Sequence, residues 1–420
     1  MGGNFYRATR NCHFEHEQLQ GDHQTDVCVI GGGFTGVSAA LALAERGYQV
    51  VLLEAEAIGF GASGRNGGQL IPGLRWSMPD IFQHFGADRG KQIYEVVRTA
   101  QTLVQDRIKK HSIDCDLKSG HFATAHKPEH FDDMCREVDF LLTRLNDDSV
   151  CAIPRADVHL HVGASHYFGG IYDSSGGHFH PLNYVLGLAN AARLAGVSIC
   201  ENSRVLSINE GSTPTVVTPN GSVSARYIVL ACDTDMGAID REIGGYAIPI
   251  MNYNVATAPL SDNIANKILP SDASVADSRF VLNYFRLSAD KRLIFGGGER
   301  YSATPPHDIT QFVRPYIASV FPALRDVQID YGWGGAVGVT MNRLPHLGRR
   351  KNIFFAHGFS GHGALTTTLA GELIAEALSG TAERFDVFAS LPHRKFPGGK
   401  HLRKPLAALG LLWFALRDRL

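Results

Sequence analysis

The sequence has no surplus of either charge. Its 40 Lys and Arg side chains face 41 Asp and Glu, a formal charge of -1. The basic field that phosphate-backbone binding requires is missing, which argues against nucleic acid as a partner. Charged residues are also scarce at 19%, against 44% hydrophobic, and that balance disfavours disorder over most of the length. The seven cysteines (Cys12, Cys28, Cys115, Cys135, Cys151, Cys200, Cys232) are odd in number, scattered and free of any Cys-x-x-Cys. Neither a disulfide framework nor a thiolate metal site is suggested, and a reducing, cytoplasmic setting is expected. No apolar run approaches the roughly 20 residues of a bilayer span; the longest covers 405–416. Residues 1–24 are polar and rich in His and Gln, without the apolar stretch of a secretory signal. Repeats and low-complexity segments are lacking too. The expectation is a soluble chain of 420 residues in two or three domains at about 150 residues each. Glycine is what is plentiful: 45 residues, about 11%, against about 7% in ordinary proteins and with no Gly-X-Y period. Such an excess belongs to particular turns and close backbone approaches.

The first apolar run, 26–30, meets Gly31 and reads as a buried strand ending in a tight turn. Residues 36–46 are rich in Ala and Leu and stop at Gly47, the pattern of a helix with its C-terminal glycine. Residues 50–53 are again strand-like and close on Glu54, completing a β-α-β unit. A helix is expected over 182–194 behind Pro181, followed by short strands at 197–200, 205–208, 215–218 and 227–231 that resume a parallel sheet. Helical spacing also covers 90–111, 129–145, 308–320 and 364–378, and strand patterning covers 114–125, 247–297 and 353–357.

Gly31-Gly32-Gly33-Phe34-Thr35-Gly36 matches Gly-x-Gly-x-x-Gly. At this glycine content roughly half a match arises by chance, and Gly59-Phe60-Gly61-Ala62-Ser63-Gly64 is indeed a second one. Context separates them. The first follows a strand, opens a helix and precedes Glu54 by about 20 residues, as a dinucleotide site requires. Gly31 makes the turn, Gly33 lets the backbone approach a pyrophosphate, and Gly36 lets helix and strand lie close. The helix start, with Phe34 and Thr35, offers N-H groups and partial positive charge to phosphates. Glu54, with Ala55 beside it, would accept hydrogen bonds from ribose hydroxyls and disfavour a 2'-phosphate. The long insertion before the sheet resumes favours a flavin over a nicotinamide dinucleotide.

Three separated segments then carry a resemblance: residues 59–69 (Gly-Phe-Gly-Ala-Ser-Gly-Arg-Asn-Gly-Gly-Gln), His178-Phe179-His180-Pro181, and Gly358-Phe359-Ser360-Gly361-His362-Gly363. Together they resemble the D-amino-acid-oxidase-type family of FAD amine oxidoreductases over nearly the whole chain. With Phe396-Pro397-Gly398-Gly399 and the basic-apolar tail, they are most similar to its gamma-glutamylputrescine (glutamyl-polyamine) oxidoreductase branch. The resemblance implies that Ser63, Gly64, Arg65, Asn66, Gly67, Gly68 and Gln69 line the pyrophosphate and flavin ring. It implies that Val205 brackets the adenine through its main chain and that Ala231 lies near the ADP half. Gly358, Gly361, His362 and Gly363 would aim helix-start N-H groups at the flavin pyrimidine oxygen. Some relatives tether flavin through an early-loop His or a late Cys. Here Arg65 and the Cys-free stretch 337–342 stand in those places, so FAD is expected to be non-covalent. Ile294, preceded by Lys291 and Arg292, stands where an oxygen-activating Lys occurs in one branch. Reoxidation by O2 or by another acceptor is therefore left open.

The implied fold is α/β: a Rossmann-like, sequence-discontinuous FAD-binding domain (26–85, 150–246 and 338–392) with a mixed α+β substrate domain (86–149 and 247–337). An N-terminal arm (1–25) and a C-terminal tail (393–420) flank them. The implied reaction is hydride transfer from a gamma-glutamylated polyamine to flavin N5, followed by imine hydrolysis to an aldehyde. Oxidation of a D-amino acid or N-methyl amino acid is the alternative within the class, and a non-catalytic or tRNA-modifying FAD protein the alternative outside it. Tyr284, Arg286, Trp333 and His362 are the candidate catalytic or substrate-positioning residues. His346 and His357 are further candidates, and Arg286 and then Arg343 are the candidate carboxylate ligands. The pairs His159/His161 and His178/His180 lack a third ligand at suitable spacing, so no metal is expected. The tail could pack on its own protein, on another subunit of a homo-oligomer, or on a membrane surface.

Overall fold

The computed structural model describes residues 3–300 and 305–397. Two sheets organise the chain. The first is 8-stranded, with the order His346–Arg350, Ile353–His357, Gly221–Leu230, Gly21–Ile30, Val50–Leu53, Ser198–Cys200. Four pairings join five of these strands, from Ile353–His357 to Ser198–Cys200, in parallel, and their central residues, such as 27–30, 50–53 and 228–230, are buried on both faces. The strand Gly21–Ile30 starts five residues earlier than its apolar part predicts. Its polar first half continues the ladder along Gly221–Leu230 in solvent. The expected strands at 205–208 and 215–218 form Ser207–Asn209 and Thr215–Val217, an antiparallel hairpin hung on Gly221–Leu230 rather than parallel members of the sheet.

The helix Phe34–Glu45 is buried almost all round because it lies between this sheet and the helix Gly363–Leu378. A Cβ on Gly371 would meet the Ala39 nitrogen and Thr35 oxygen at 2.6 Å, so glycine sets the spacing of the two helices. The expected helices are present as Ala87–Lys110, Pro128–Leu145, Pro181–Leu194 and Ile309–Val320, the last capped by Asp308.

The second sheet has nine strands, ordered Ile329–Thr340, Ala247–Thr257, Leu293–Arg300, Tyr284–Leu287, Ser274–Asp277, Lys118–Thr124, Gly169–His178, Gln69–Leu70, with Val150–Pro154 on Gly169–His178. Residues 150–178, grouped by their sequence with the nucleotide-binding half, thus belong to this sheet. Their cross-strand partners, Lys118–Thr124 and Gln69–Leu70, are remote in sequence, so no local pattern announces the pairing. A separate aromatic core, with Phe122, Tyr253, Phe285, Phe295 and Phe321, lies under the second sheet. The architecture is a Rossmann-like domain joined to a mixed second domain. Among the described residues no helix is long and apolar enough to cross a membrane.

Candidate functional site

The first glycine loop is built by steric necessity. Gly31 has φ +112°, and a Cβ there would lie 2.5 Å from the Ala231 oxygen. A Cβ on Gly36 would lie 1.9 Å from the Gly31 oxygen, so strand, turn and helix start are in backbone contact. Gly33 is the N-cap of the helix Phe34–Glu45 and provides no side-chain cap. Ser63 Oγ, from the second glycine loop, accepts from the Phe34 N-H at 2.9 Å. Among the described residues nothing accepts from the N-H groups of Thr35 and Gly36. An uncapped helix start without a Cβ at its cap fits a bound phosphate.

Glu54 sits behind this loop rather than open to it. Its Oε2 accepts from the Gly32 N-H at 2.6 Å and its Oε1 from the Glu56 N-H at 2.9 Å. Burial raises its pKa, the two backbone donors oppose that, and Glu201 adds to it. Each carboxylate oxygen still has a lone pair for a hydroxyl. Ala55 is half-buried beside it.

The second glycine loop joins the two sheets. Gly59 N-H donates to the Gly32 oxygen at 2.9 Å, and Asn66 Oδ1 accepts from the Gly68 N-H at 2.7 Å. A Cβ on Gly64 would lie 2.2 Å from the Gly59 oxygen, the same closure that Gly36 makes over Gly31. Here, however, a single tight turn, Ala62–Gly64, follows instead of a helix. Gln69 is turned away from the loop, its amide donating to the Val275 and Phe285 oxygens of the second sheet.

Three of the four candidate positioning residues converge on this loop. The Tyr284 ring fills the space where a Cβ on Gly67 or Gly296 would stand, at 2.5 and 2.0 Å, and its hydroxyl donates to Asn252. Arg286 Nε donates to the Gly67 oxygen at 2.8 Å, with the guanidinium packed where a Gly68 Cβ would be. Trp333 Nε1 donates to the Arg65 oxygen at 2.9 Å, and Arg65 Nη1 returns to the Gly334 oxygen at 3.2 Å. The fourth candidate, His362, is the N-cap of the helix Gly363–Leu378 without a side-chain cap bond. Burial, with Arg75 and His121 adding to it, lowers its pKa to about 3, so it is neutral at physiological pH. The N-H groups of Gly363 and Ala364 have no acceptor among the described residues, and a Cβ on Gly361 would meet nothing within 4 Å.

The remaining candidates fall elsewhere. His346 and His357 face each other across a hairpin, Nδ1 to Nε2 at 2.9 Å, with the His393 ring over His346 at 4.4 Å. The Arg343 guanidinium lies over the Phe280 ring. Val205 precedes the strand Ser207–Asn209 instead of opening one, and packs on the core behind the first sheet. Ala231 N-H donates to the Ile30 oxygen at 2.8 Å, beside Gly31. His180 caps the helix Pro181–Leu194, its Nδ1 accepting from the Asn183 N-H, and His178 Nε2 meets the Asp272 oxygen at 2.7 Å. His159 bonds the Ala156 oxygen in its own turn, while His161 packs between Phe122 and Tyr172.

Sequence reasoning missed Asp233. Its carboxylate accepts from the Gly358 N-H at 2.8 Å and the Gly338 N-H at 3.1 Å, fixing the last glycine loop to the second sheet. Burial raises its pKa against those two bonds. The available signal was an acid two residues beyond Ala231 at a strand end.

This arrangement has known relatives. A family model described as FAD dependent oxidoreductase (DAO) matches residues 26–377. The chain belongs to that family. The family is FAD-dependent, so the cofactor is FAD. Gamma-glutamylputrescine oxidoreductase of Escherichia coli is 39% identical over 418 residues, covering 99% of this chain and 98% of that protein. A probable oxidoreductase, OrdL, of Haemophilus influenzae is 35% identical, covering 99% and 97%. Among solved structures, glycine oxidase from Geobacillus kaustophilus superposes with a TM-score of 0.72 at 21% identity, covering 85% of this chain and 95% of that one. That likeness supports the DAO fold alone.

Proposed function

We propose that the protein is an amine oxidoreductase acting on a gamma-glutamylated polyamine such as gamma-glutamylputrescine. Full-length similarity to a gamma-glutamylputrescine oxidoreductase supports the amine class. The observation that carries the substrate choice is Arg286. It is 2% exposed, beside the flavin-side glycine loop, and has no carboxylate partner among the described residues. A buried cation of this kind calls for an anion from the ligand, and a glutamyl carboxylate provides one.

When bound, FAD accepts the hydride lost from the amine carbon. The chain's residues position and shield. Gly33 and the Thr35 and Gly36 N-H groups would hold the pyrophosphate, Glu54 the ribose, and the N-H groups at Gly363 the pyrimidine edge. Tyr284 and Trp333 would wall an extended aliphatic amine by apolar contact. We further propose that FAD is held without a covalent link, since Arg65 and a Cys-free strand end stand at the tethering positions. Residues 26–85 and 338–392 would make most of the FAD contacts and 247–337 most of the substrate contacts.

Anaerobic mixing tests the reading. Gamma-glutamylputrescine is expected to bleach the flavin band, with free putrescine much slower; bleaching by D-amino acids alone would overturn the substrate choice. Readmitting air is expected to restore the band slowly. Ile294 is buried at the position in question, while Lys291 and Arg292 are paired with Asp262 and with Asp290 and Asp330. Fast, stoichiometric peroxide formation would refute that part. Glu54→Gln is expected to weaken FAD binding about tenfold, because an amide presents N-H to one of the two backbone donors now facing the carboxylate. Ultrafiltration against free FAD measures it, and an unchanged affinity removes Glu54 from the cofactor site.

A further inference from the structure

We propose that the N-terminal arm is a working part of the substrate site, in which Tyr6 and Arg286 together form a two-donor seat for a carboxylate. The proposal rests on the reading of a carboxylate-bearing amine given above and adds to it a residue from a segment whose composition reads as solvated.

The arm is locked into the site by specific contacts. The helical turn Phe5–Ala8 is capped by Asn4, whose Oδ1 accepts from the Tyr6 N-H at 2.9 Å. Asn4 Nδ2 donates to the Gly64 oxygen of the second glycine loop at 2.9 Å. Thr9 Oγ1 meets His180 Nε2 at 3.0 Å, and the Asn11 N-H donates to Asn183 Oδ1 at 3.1 Å. Phe5 and Tyr6 are buried, Tyr6 completely. The Tyr6 ring stands edge-on to Trp333 and His180, with centroids 5.3 and 4.9 Å away.

Two unmet demands then coincide. Arg286 donates to the Gly67 oxygen, the Leu287 oxygen at 3.0 Å and the Tyr6 hydroxyl at 3.2 Å, all neutral acceptors. Asp116 feels its charge without forming an ion pair. The Tyr6 hydroxyl accepts that bond, while its own O-H has no acceptor among the described residues. A buried guanidinium without a counter-ion and a buried phenol without an acceptor are each unfavourable alone. A single carboxylate satisfies both, taking charge-assisted bonds from the guanidinium and the phenol. Burial raises the phenol pKa further above its ordinary value, so it keeps the proton it would donate.

Tyr6→Phe removes the hydroxyl and keeps the ring. The test compares this variant and the wild-type holoenzyme on gamma-glutamylputrescine, on putrescine, and on glutarate, a dicarboxylate with no amine to oxidise. In the wild type, glutarate is expected to perturb the flavin spectrum and gamma-glutamylputrescine to be preferred over putrescine. Tyr6→Phe is expected to weaken glutarate binding and raise KM for gamma-glutamylputrescine roughly tenfold or more. Its kcat, FAD content and KM for putrescine should stay within about twofold. A wild type that shows no preference for the carboxylated amine overturns the substrate reading. A wild type that shows the preference and a Tyr6→Phe protein that keeps it in full overturns the role of the arm. So does loss of FAD from Tyr6→Phe, which would make Tyr6 a cofactor-packing residue.

Discussion

Gly36→Ala is expected to yield protein with less than about a tenth of the wild-type flavin absorbance per chain. The added Cβ would stand 1.9 Å from the Gly31 carbonyl oxygen and 3.3 Å from the Ala231 Cβ. Ordinary overpacking costs about 1–3 kcal/mol because side chains can shift, but here the obstacle is backbone. Relief requires moving the helix Phe34–Glu45 off the strand Gly21–Ile30, which displaces the N-H groups proposed to hold the phosphates. A graded series checks the cause. On Gly33 the Cβ would meet only Ser63 Oγ at 2.9 Å, which can rotate at the expense of its bond to the Phe34 N-H; an intermediate loss of FAD follows. On Gly61, the matching position of the second motif, it would meet nothing within 4 Å, and near-normal flavin content follows. Equal flavin loss in Gly36→Ala and Gly61→Ala would refute the steric argument, and circular dichroism separates cofactor loss from unfolding.

That contrast also marks where the sequence was readable. Both segments fit the same Gly-x-Gly-x-x-Gly pattern, and both close a carbonyl under their last glycine. Only the strand before Gly31, the helix after Gly36 and the acid at Glu54 told them apart, and each of these has a local signature in apolar periodicity or residue type. Tyr284, Arg286 and Trp333 were singled out by residue type, but their convergence on the second loop was not legible, since their contacts to residues 65–68 span more than 200 positions in sequence. What stayed hidden lacks a local signature. The strand Gly169–His178 pairs with the remote Lys118–Thr124 and Gln69–Leu70, and Val150–Pro154 joins the sheet only through it. Phe5 and Tyr6 are two aromatics in a polar arm, so composition averages them away although both are fully packed. Glu54 was expected at an open ribose site and proves to be held by Gly32 and Glu56 as well, a double use that spacing cannot express.

Acid is expected to destabilise the protein steeply, beginning near pH 6.5. Five histidines are at most 8% exposed: His121, His178, His180, His346 and His357. Burial holds each below the ordinary 6.5, at about 4, 3, 3, 2 and 4 respectively; Arg286 adds to the effect at His178 and His180, and His357 and His393 add to it at His346. Their bonding explains why a proton is unwelcome. His180 Nδ1 must stay bare to accept the Asn183 N-H, and protonating both His346 and His357 would oppose two N-H groups across 2.9 Å. The folded pKa values lie below the unfolded one, so from pH 6.5 downward the unfolded chain binds more protons. The histidines' contribution to stability is therefore lost as pH falls through that window and is level above about pH 7. Each histidine that remains neutral contributes about 1.4 kcal/mol per pH unit, so one unit below 6.5 the five together rival much of a typical 5–15 kcal/mol stability. Urea unfolding of the holoenzyme at pH 7.5 and pH 5.5, followed by flavin and tryptophan fluorescence, should show a large drop in midpoint. His180→Gln, whose amide oxygen can still cap the Asn183 N-H, should flatten the dependence by one histidine's share. Equal midpoints at the two pH values would mean that these rings take up protons while folded, contrary to the packing described above.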